Sequence, residues 1–402
     1  MYNVYFDYSA TTPLNPQALE SMMPYLQAHF GNPSSTHEYG RNAREAVEKA
    51  RRQVAEFLGA GTENIIFTSG GTEANNTAIL GAAYANWTKG NHIITTSIEH
   101  RAVLDPCRFL ESQGFRVTYL PVDESGMVEI EELEKAITAD TTLISVMYAN
   151  NEIGTIQPVE DIGRIARNKG IIYHCDAVQA AGRVPIDVNR INCDLLSISA
   201  HKFYGPKGAG CLYIRSGLDL MALLRGGGQE RNLRAGTENV AGIVGFGEAC
   251  RIALAEMGRW TWELIFMRDM LIDAINERIP GAYLNGHRYK RLPGHVSFCF
   301  DNIVSTDLLS MLDDKGIAVS SGSACHAKSP RPSHVLKALG YSDELALSAL
   351  RITLGAGNND DEIEYFLAIL PDIISVIRDV APTRPHQHDC PCEEDIDQPR
   401  HM

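Results

Sequence analysis

Short apolar runs alternate with helix-like stretches between about residues 60 and 215, and this alternation limits what the chain can fold into. Each run is too short for a typical helix and is bounded by turn residues, which is typical of strands joined by crossover helices. The runs occupy residues 65–68, 93–97, 117–120, 143–148, 171–175, 195–199 and 211–214. The pattern predicts an α/β fold in which helices cover both faces of a mostly parallel sheet.

One stretch that precedes the first run has a clear helical period. In RNAREAVEKARRQVAEFLG, apolar side chains recur at spacings of three and four at Val47, Ala50, Val54 and Phe57. Gly59 follows, and glycine is the usual residue at the end of a helix because it tolerates a left-handed backbone. The spacing therefore predicts a helix that packs one face on the sheet and ends near Gly59.

The pattern changes after about residue 258, where a long helix is predicted through Trp262 and Ile275. Further apolar runs at 296–300, 317–321 and 350–354 are separated by two helical segments, which indicates a second, smaller α/β domain. The predicted divisions are a segment at 1–15 that joins the small domain, a large domain at 16–258, a small domain at 259–381 and a polar tail at 382–402. The tail is rich in proline, histidine and acidic residues and is expected to be disordered.

Composition disfavours several classes of function. The 402 residues carry 50 acidic and 36 basic side chains, and the net charge of −14 disfavours non-specific binding to nucleic acid or anionic membrane. The N-terminus has no cationic region followed by an apolar core, and no apolar stretch approaches the length of a membrane span. Nine scattered cysteines form no disulfide framework, so a cytoplasmic protein with mostly buried thiols is expected.

The first predicted strand leads into SGGTEANNTAI, a glycine turn followed by a helix. Gly70 and Gly71 permit a tight turn, and the free N–H groups of a helix that opens at Thr72 would hold a phosphate. An ordinary helix start capped by Thr72 explains the same residues equally well. Taken alone, the motif leaves both interpretations open.

Two charged residues end later strands. Asp176 in IIYHCDAVQAAG is placed to pair with a protonated pyridine nitrogen, although a helix N-cap before Ala177 is the commoner role. Lys202 in LLSISAHKFYGPKGAG is placed to form a Schiff base with an aldehyde, although an isolated lysine is more often solvated. A phosphate turn, an acid and a lysine at one edge of a sheet, in this chain order, favour a single cofactor site over three unrelated features.

At this point the sequence resembles the cysteine desulfurases among the fold-type I pyridoxal-phosphate enzymes (aminotransferase class V). The resemblance covers nearly the whole chain. It is carried by YFDYSATTPLNP, GNPSSTHEYGR, FTSGGTEANN, TSIEHRAV, NNEIGTIQPV, HCDAVQAAG, SAHKFYGPKG, RAGTENV, SSGSAC and ALRITLG.

The resemblance implies pyridoxal 5'-phosphate as cofactor and a role for each matching residue. Lys202 would carry the cofactor, Asp176 would pair with its ring nitrogen, and His100 would stack on the ring and shuttle protons. Asn151 and Gln179 would touch the phenolic oxygen and the substrate end of the site. The phosphate would be held by Gly71, Thr72, Ser199 and His201, and by Thr237 of a neighbouring subunit, which implies a homodimer.

Arg351 lies in the apolar run ALRITLG, where an unpaired guanidinium would be costly, so it should meet an anion. Its planar fork suits an α-carboxylate, and the resemblance implies that it binds the carboxylate of the substrate. A buried ion pair with an acidic side chain of the chain itself is an equal alternative.

Cys325 lies in SSGSACHAKSPRPS, a stretch too rich in serine, glycine and proline for a strand or helix. His326 and Lys328 add positive charge that would favour the thiolate. The resemblance implies that Cys325 forms the persulfide. The residues that follow it depart from the family pattern, which leaves loop mobility and acceptor choice open.

The tail HQHDCPCEEDID places potential ligands at alternate positions, at His386, His388, Cys390 and Cys392. They would suit a soft metal or a sulfur relay, but the spacing lacks the paired CxxC signature. A disordered acidic tail is favoured, and no metal site is predicted.

The reaction that the resemblance implies converts L-cysteine to L-alanine and passes sulfur through Cys325 to the thiol of an acceptor protein or to a reductant. A selenocysteine lyase or an aminotransferase of the same fold is the alternative within the family, and a non-catalytic sulfur or metal carrier is the alternative outside it. The destination of the sulfur stays open among iron–sulfur cluster assembly, tRNA thiolation and DNA phosphorothioation.

Overall fold

The computed structural model describes residues 3–322 and 331–380. In chain order these residues form β1 (Val4–Tyr5), α1 (Pro16–Gln27), α2 (Glu38–Leu58), β2 (Ile65–Thr68), α3 (Gly71–Ala85), β3 (His92–Thr96), α4 (Arg101–Ser112), β4 (Arg116–Leu120), α5 (Ile130–Ala136), β5 (Thr141–Ser145), α6 (Val159–Lys169), β6 (Ile172–Asp176), α7 (Val188–Ile191), β7 (Leu195–Ser199), β8 (Gly210–Ile214), α8 (Val240–Arg278), β9 (Ala282–Leu284), β10 (His295–Phe300), α9 (Ser305–Asp314), β11 (Ile317–Ala318), α10 (His334–Ala338), α11 (Asp343–Ala346), β12 (Leu350–Thr353) and α12 (Asp360–Val380).

The central sheet has seven strands in the order β2-β8-β7-β6-β5-β3-β4. Strand β8 runs antiparallel to β2 and β7, and the other neighbouring pairs are parallel. All seven predicted runs overlap these strands, and the predicted α/β class with a mostly parallel sheet is confirmed. Consecutive residues such as Ile93 and Ile94 pack into different apolar clusters, because the two faces of the sheet are both covered.

Helix α2 is the helix that the spacing in the sequence predicted. Val47, Ala50, Val54 and Phe57 are all buried in the core. Gly59 caps the helix with a φ of 67°, so the predicted end is confirmed.

Helix α8 runs without interruption over 39 residues and joins the sheet to the C-terminal elements. The boundary expected between residues 258 and 259 falls inside this helix, and the division into domains stays a prediction. Beyond the helix, β10 pairs antiparallel with β9 and β12. At the other end of the chain, β1 pairs in parallel with β11, through Val4 and Ile317. The tail at 382–402 lies outside the described residues.

Within the described ranges, no helix is both long and apolar enough to cross a membrane.

Three phenylalanines fix the backbone just beyond β7. Phe203 stacks on Phe57 of α2 with ring centroids 5.4 Å apart, and it meets Phe246 of α8 edge to face at 6.0 Å. All three side chains are buried. Because Phe203 directly follows Lys202, this packing holds the lysine backbone against both helices.

We expect Phe246→Ala to lower the free energy of unfolding by about 3–5 kcal/mol, because it leaves a cavity beside Phe203. Phe266→Ala, on the same helix but 54% exposed, is the matched control and should change it by less than about 0.5 kcal/mol. Chemical denaturation monitored by circular dichroism measures both. Equal losses in the two variants would contradict the role of this cluster.

Candidate active site

A cavity of about 410 Å³ opens at the carboxyl ends of the parallel strands. Most of the residues predicted for the site line it together. They are Gly71, Thr72, His100, Asn151, Asp176, Gln179, Ser199, His201, Lys202 and Arg351. The strand-end positions converge because parallel strands present their carboxyl ends at one edge of the sheet.

Two predicted residues are not in this lining. Thr237 is exposed and precedes α8, outside the cavity of its own chain. Cys325 lies outside the described residues. The residues that flank its segment, Gly322 on one side and Arg331 to His334 on the other, do line the cavity.

Lys202 is held at the cavity wall by the N-terminal segment. Its Nζ donates hydrogen bonds to the carbonyl oxygens of Ser9 at 2.5 Å and Ala10 at 2.9 Å. Burial, together with the charges of Arg351 and Arg183, lowers its pKa to about 8. More of the amine is therefore neutral and nucleophilic near neutral pH than for an ordinary lysine.

Asp176 is a buried carboxylate at the end of β6. It accepts hydrogen bonds from Asn75 Nδ2 at 2.6 Å and from the Val178 N–H at 3.0 Å. Burial raises its pKa above 3.8, while Val178, His100, Asn75 and Lys202 oppose that effect. The residues after Asp176 form turns instead of the helix expected to begin at Ala177, and Asp176 accepts the Val178 N–H as the residue before a turn.

His100 precedes α4 and caps it. Its Nδ1 accepts a hydrogen bond from the Ala102 N–H at 3.1 Å, which leaves Nε2 as the nitrogen available for proton exchange. The residue is exposed to the open cavity, yet the surrounding protein removes enough water to lower its pKa. A neutral imidazole is therefore favoured near neutral pH.

The glycine turn before α3 is closely packed. A Cβ added to Gly71 would come within 2.6 Å of Val178 Cγ2, so a side chain at this position would have to displace Val178. Thr72 lies in the first turn of α3, and Gly70, not Thr72, occupies the cap position. Ser199 and His201 line the same cavity, and burial lowers the pKa of His201 to about 4. A helix N-terminus with hydroxyls and a neutral imidazole suits an anionic group.

Arg351 forms an ion pair with an acidic side chain of its own chain, which was one of its two expected roles, and it also lines the cavity. Its Nη2 pairs with Asp7 Oδ1 at 2.8 Å, and its Nη1 donates to the Asn151 carbonyl oxygen at 3.1 Å. Its buried Nε has no hydrogen-bond partner among the described residues. The guanidinium therefore retains donor capacity beside the cavity.

The described cysteines are not accessible nucleophiles. All six of them, at positions 107, 175, 193, 211, 250 and 299, are buried and free, as the composition predicted. Burial raises the pKa of the Cys107 thiol to about 12 and that of Cys299 to about 11. Within the described ranges, no cluster of three or more His, Cys, Asp or Glu side chains could hold a metal, and the tail ligands lie outside those ranges.

Several residues that line the cavity were not predicted from the sequence. Ser333 Oγ donates to Glu152 Oε2 at 2.5 Å, and His334 Nε2 lies 2.9 Å from the Glu99 carbonyl oxygen. These contacts tie the segment after residue 330 to the ends of β3 and β5. The position of Glu152 directly after Asn151 was the one available signal.

Glu99, which directly precedes His100, is fully buried. Its Oε1 accepts hydrogen bonds from Thr96 Oγ1 and from the Met147 N–H, each at 2.9 Å, which ties β3 to the end of β5. Its Oε2 has no partner among the described residues. Burial raises its pKa to about 8, so the carboxyl is mostly protonated at neutral pH.

We expect Glu99→Gln to flatten the pH dependence of stability. The folded protein keeps the Glu99 proton between pH 4.5 and about 8, whereas the unfolded chain releases it, so stability falls as pH rises through this window. The slope is at most about 1.4 kcal/mol per pH unit. Denaturant titrations at several pH values should show that the free energy of unfolding of the variant increases relative to that of wild type as pH rises. Glu134→Gln, on an exposed site of α5, is the control, and parallel profiles for Glu99→Gln and wild type would contradict the prediction.

Comparison with known proteins identifies the family of the chain. The aminotransferase class-V family model matches residues 4–366. A curated protein named cysteine desulfurase IscS from Dictyoglomus turgidum is 51% identical over 379 residues, which cover 94% of this chain and 96% of the relative. One of the same name from Methanosarcina thermophila is 51% identical over 385 residues, covering 96% and 95%.

Two solved structures are similar to this chain over most of its length. A NifS-like protein superposes with a TM-score of 0.88 at 41% identity, covering 93% of this chain and all of that one. The structure of SspA in complex with cysteine superposes with a TM-score of 0.78 at 40% identity, covering 88% and 99%. The chain belongs to the aminotransferase class-V family and, within it, to the cysteine desulfurases.

Proposed function

We propose that this protein is a pyridoxal-phosphate-dependent cysteine desulfurase that converts L-cysteine to L-alanine and takes the sulfur onto Cys325 as a persulfide. The observation that carries the proposal is the cavity itself. It brings a lysine whose pKa is lowered to about 8 together with a buried aspartate and an arginine with spare donor capacity. The full-length similarity to curated cysteine desulfurases supports the same reaction.

The cavity fits the cofactor. Ser9 Oγ, Asn75 Oδ1 and Gln179 Oε1 are buried, have no hydrogen-bond partner among the described residues, and belong to residues that line the cavity. Buried polar atoms normally have partners, so a polar group bound here would satisfy them. When bound, pyridoxal phosphate supplies an electron sink that stabilises negative charge at the α-carbon of an amino acid.

The predicted roles assign each part of the cofactor to different residues of the cavity lining. Lys202 would hold the aldehyde carbon, Asp176 the pyridine nitrogen and His100 the ring face. Asn151 and Gln179 would contact the phenolic oxygen and the substrate end of the site. The phosphate would be held by Gly71, Thr72, Ser199 and His201, with Thr237 supplied by a second copy of the chain.

The substrate would be oriented by its carboxylate on Arg351, beside Asp7. Lys202 is suited to move the α-proton, since a pKa of about 8 lets the amine both accept and return a proton near neutral pH. His100 would exchange a second proton through Nε2, because Nδ1 is already engaged by the Ala102 N–H.

Sulfur transfer would use the Cys325 thiolate. Its Sγ attacks the sulfur of L-cysteine, a sulfur–sulfur bond forms, and the carbon–sulfur bond breaks with its electron pair left on the carbon. Protonation of that carbon gives alanine. The balance is L-cysteine plus one enzyme thiol giving L-alanine plus one enzyme persulfide. We further propose that the protein acts as a cytoplasmic homodimer and hands the sulfur to the thiol of an acceptor protein.

We expect the cofactor to be attached to Lys202. Borohydride reduction, proteolysis and mass spectrometry of the purified protein should locate the pyridoxyl group on the peptide that contains Lys202. The group should be absent from that peptide in Lys202→Ala and present in Lys207→Ala, whose side chain is exposed. Labelling elsewhere, or none in wild type, would favour a non-catalytic carrier.

We expect Cys325→Ser to keep the cofactor and lose the production of alanine and sulfide from L-cysteine in the presence of a reductant, by at least about a hundredfold because the nucleophile is gone. Cys107→Ala removes a buried thiol and serves as the control that retains activity. If Cys325→Ser remains as active as wild type, sulfur leaves without a persulfide on Cys325, which would favour a selenocysteine lyase or an aminotransferase.

A further inference from the structure

The segment between β8 and α8 that carries Thr237 has an unusual backbone. Glu230, Arg231 and Asn232 have φ values of 43°, 56° and 65°, three consecutive non-glycine residues in the left-handed region. Each such residue costs on the order of 1 kcal/mol or more. A conformation this costly persists only where the surrounding contacts hold it in place.

Glu230 supplies the first of those contacts. Its buried carboxylate forms a bidentate pair with Arg51 of α2, with both hydrogen bonds at 2.8 Å. It also accepts the Phe67 N–H of β2 at 2.8 Å. The segment is therefore fixed at Glu230 to α2 and to β2, an edge strand of the sheet.

Arg234 supplies a second anchor, to Glu73 in the first turn of α3. Its Nε lies 2.8 Å from Glu73 Oε1 and its Nη2 lies 3.3 Å from Glu73 Oε2, with the two side chains 24% and 15% exposed. Glu73 directly follows Thr72, and its Oε2 also accepts the Ser69 N–H at 2.9 Å. One carboxylate therefore joins the glycine turn to the Thr237 segment.

The two residues between Arg234 and Thr237 are also held by hydrogen bonds within the same segment. The Ala235 N–H donates to the Leu224 carbonyl oxygen at 3.2 Å, and the Gly236 N–H donates to Gln229 Oε1 at 3.0 Å. Thr237 follows immediately and is exposed. Neither Arg234 nor Glu73 lines the cavity.

We infer that Glu73 and Arg234 are positioning residues, which fix the phosphate turn and the Thr237 segment through their ion pair and so set how tightly the protein holds the cofactor phosphate. The inference rests on the proposed function. It concerns two residues that touch neither the cofactor nor the substrate and act through Ser69, Thr72 and Thr237.

Simple charge balance makes a different prediction for the same pair. A carboxylate one residue from Thr72 repels a phosphate, and Arg234 offsets that repulsion. If charge alone mattered, Glu73→Gln would strengthen cofactor binding and would rescue Arg234→Gln. If positioning matters, either substitution weakens binding, and the double variant is about as weak as each single one.

The test is the affinity of the cofactor-free protein for pyridoxal phosphate, measured by absorbance titration of wild type, Glu73→Gln, Arg234→Gln and the double variant. We expect each of the three variants to bind about tenfold more weakly than wild type, as for the loss of one charge-assisted, partly buried pair. Asp161→Asn and Arg164→Gln break an exposed ion pair on α6 and should leave the affinity unchanged.

Thermal unfolding of the cofactor-free variants separates this result from misfolding, and their melting temperatures should stay near wild type. Wild-type affinity in the single variants, tighter binding by Glu73→Gln, or equal losses in the α6 controls would each overturn the inference. Those outcomes leave the proposed function standing. That function fails if wild type does not bind the cofactor, does not release alanine from L-cysteine, or keeps its activity as Cys325→Ser.

Discussion

The structure depends on holding a buried carboxylate and a half-buried amine at the ends of two adjacent parallel strands. Asp176 ends β6, and Lys202 follows the end of β7, which pairs with β6 in parallel. Burial disfavours the charge on both groups, raising the pKa of Asp176 and lowering that of Lys202, while their mutual attraction opposes both shifts. The amine of Lys202 is therefore reactive near neutral pH. The carboxylate of Asp176 can stabilise a positive charge in the same cavity.

The N-terminal segment completes the site from outside the sheet. Carbonyl oxygens of Ser9 and Ala10 accept hydrogen bonds from Lys202, and Asp7 pairs with Arg351. The Tyr8 carbonyl oxygen accepts a hydrogen bond from the buried Arg183 at 2.6 Å. Four successive residues thus satisfy three cations that would otherwise be costly to bury.

Polar groups away from the cavity keep the lining in place. Glu99, which directly precedes His100, ties the ends of β3 and β5, and Phe203 locks the backbone next to Lys202 between two helices. The pairing of Glu73 with Arg234 extends the same principle to the glycine turn. These side chains touch no reacting atom, but the placement of those that do depends on them.

The sequence by itself determined the seven sheet strands, helix α2 with its glycine end, and the strand-end positions of Asp176 and Lys202. Periodicity and turn residues are local, and parallel topology then brings strand ends to one edge without further information. Tertiary structure alone decided that Arg351 pairs with Asp7, 344 residues earlier in the chain, that Glu99 is buried with a pKa of about 8, and that Thr237 lies outside the lining of the cavity of its own chain. Such contacts depend on where distant segments meet and on how much water they exclude, and no local pattern in the sequence encodes either quantity.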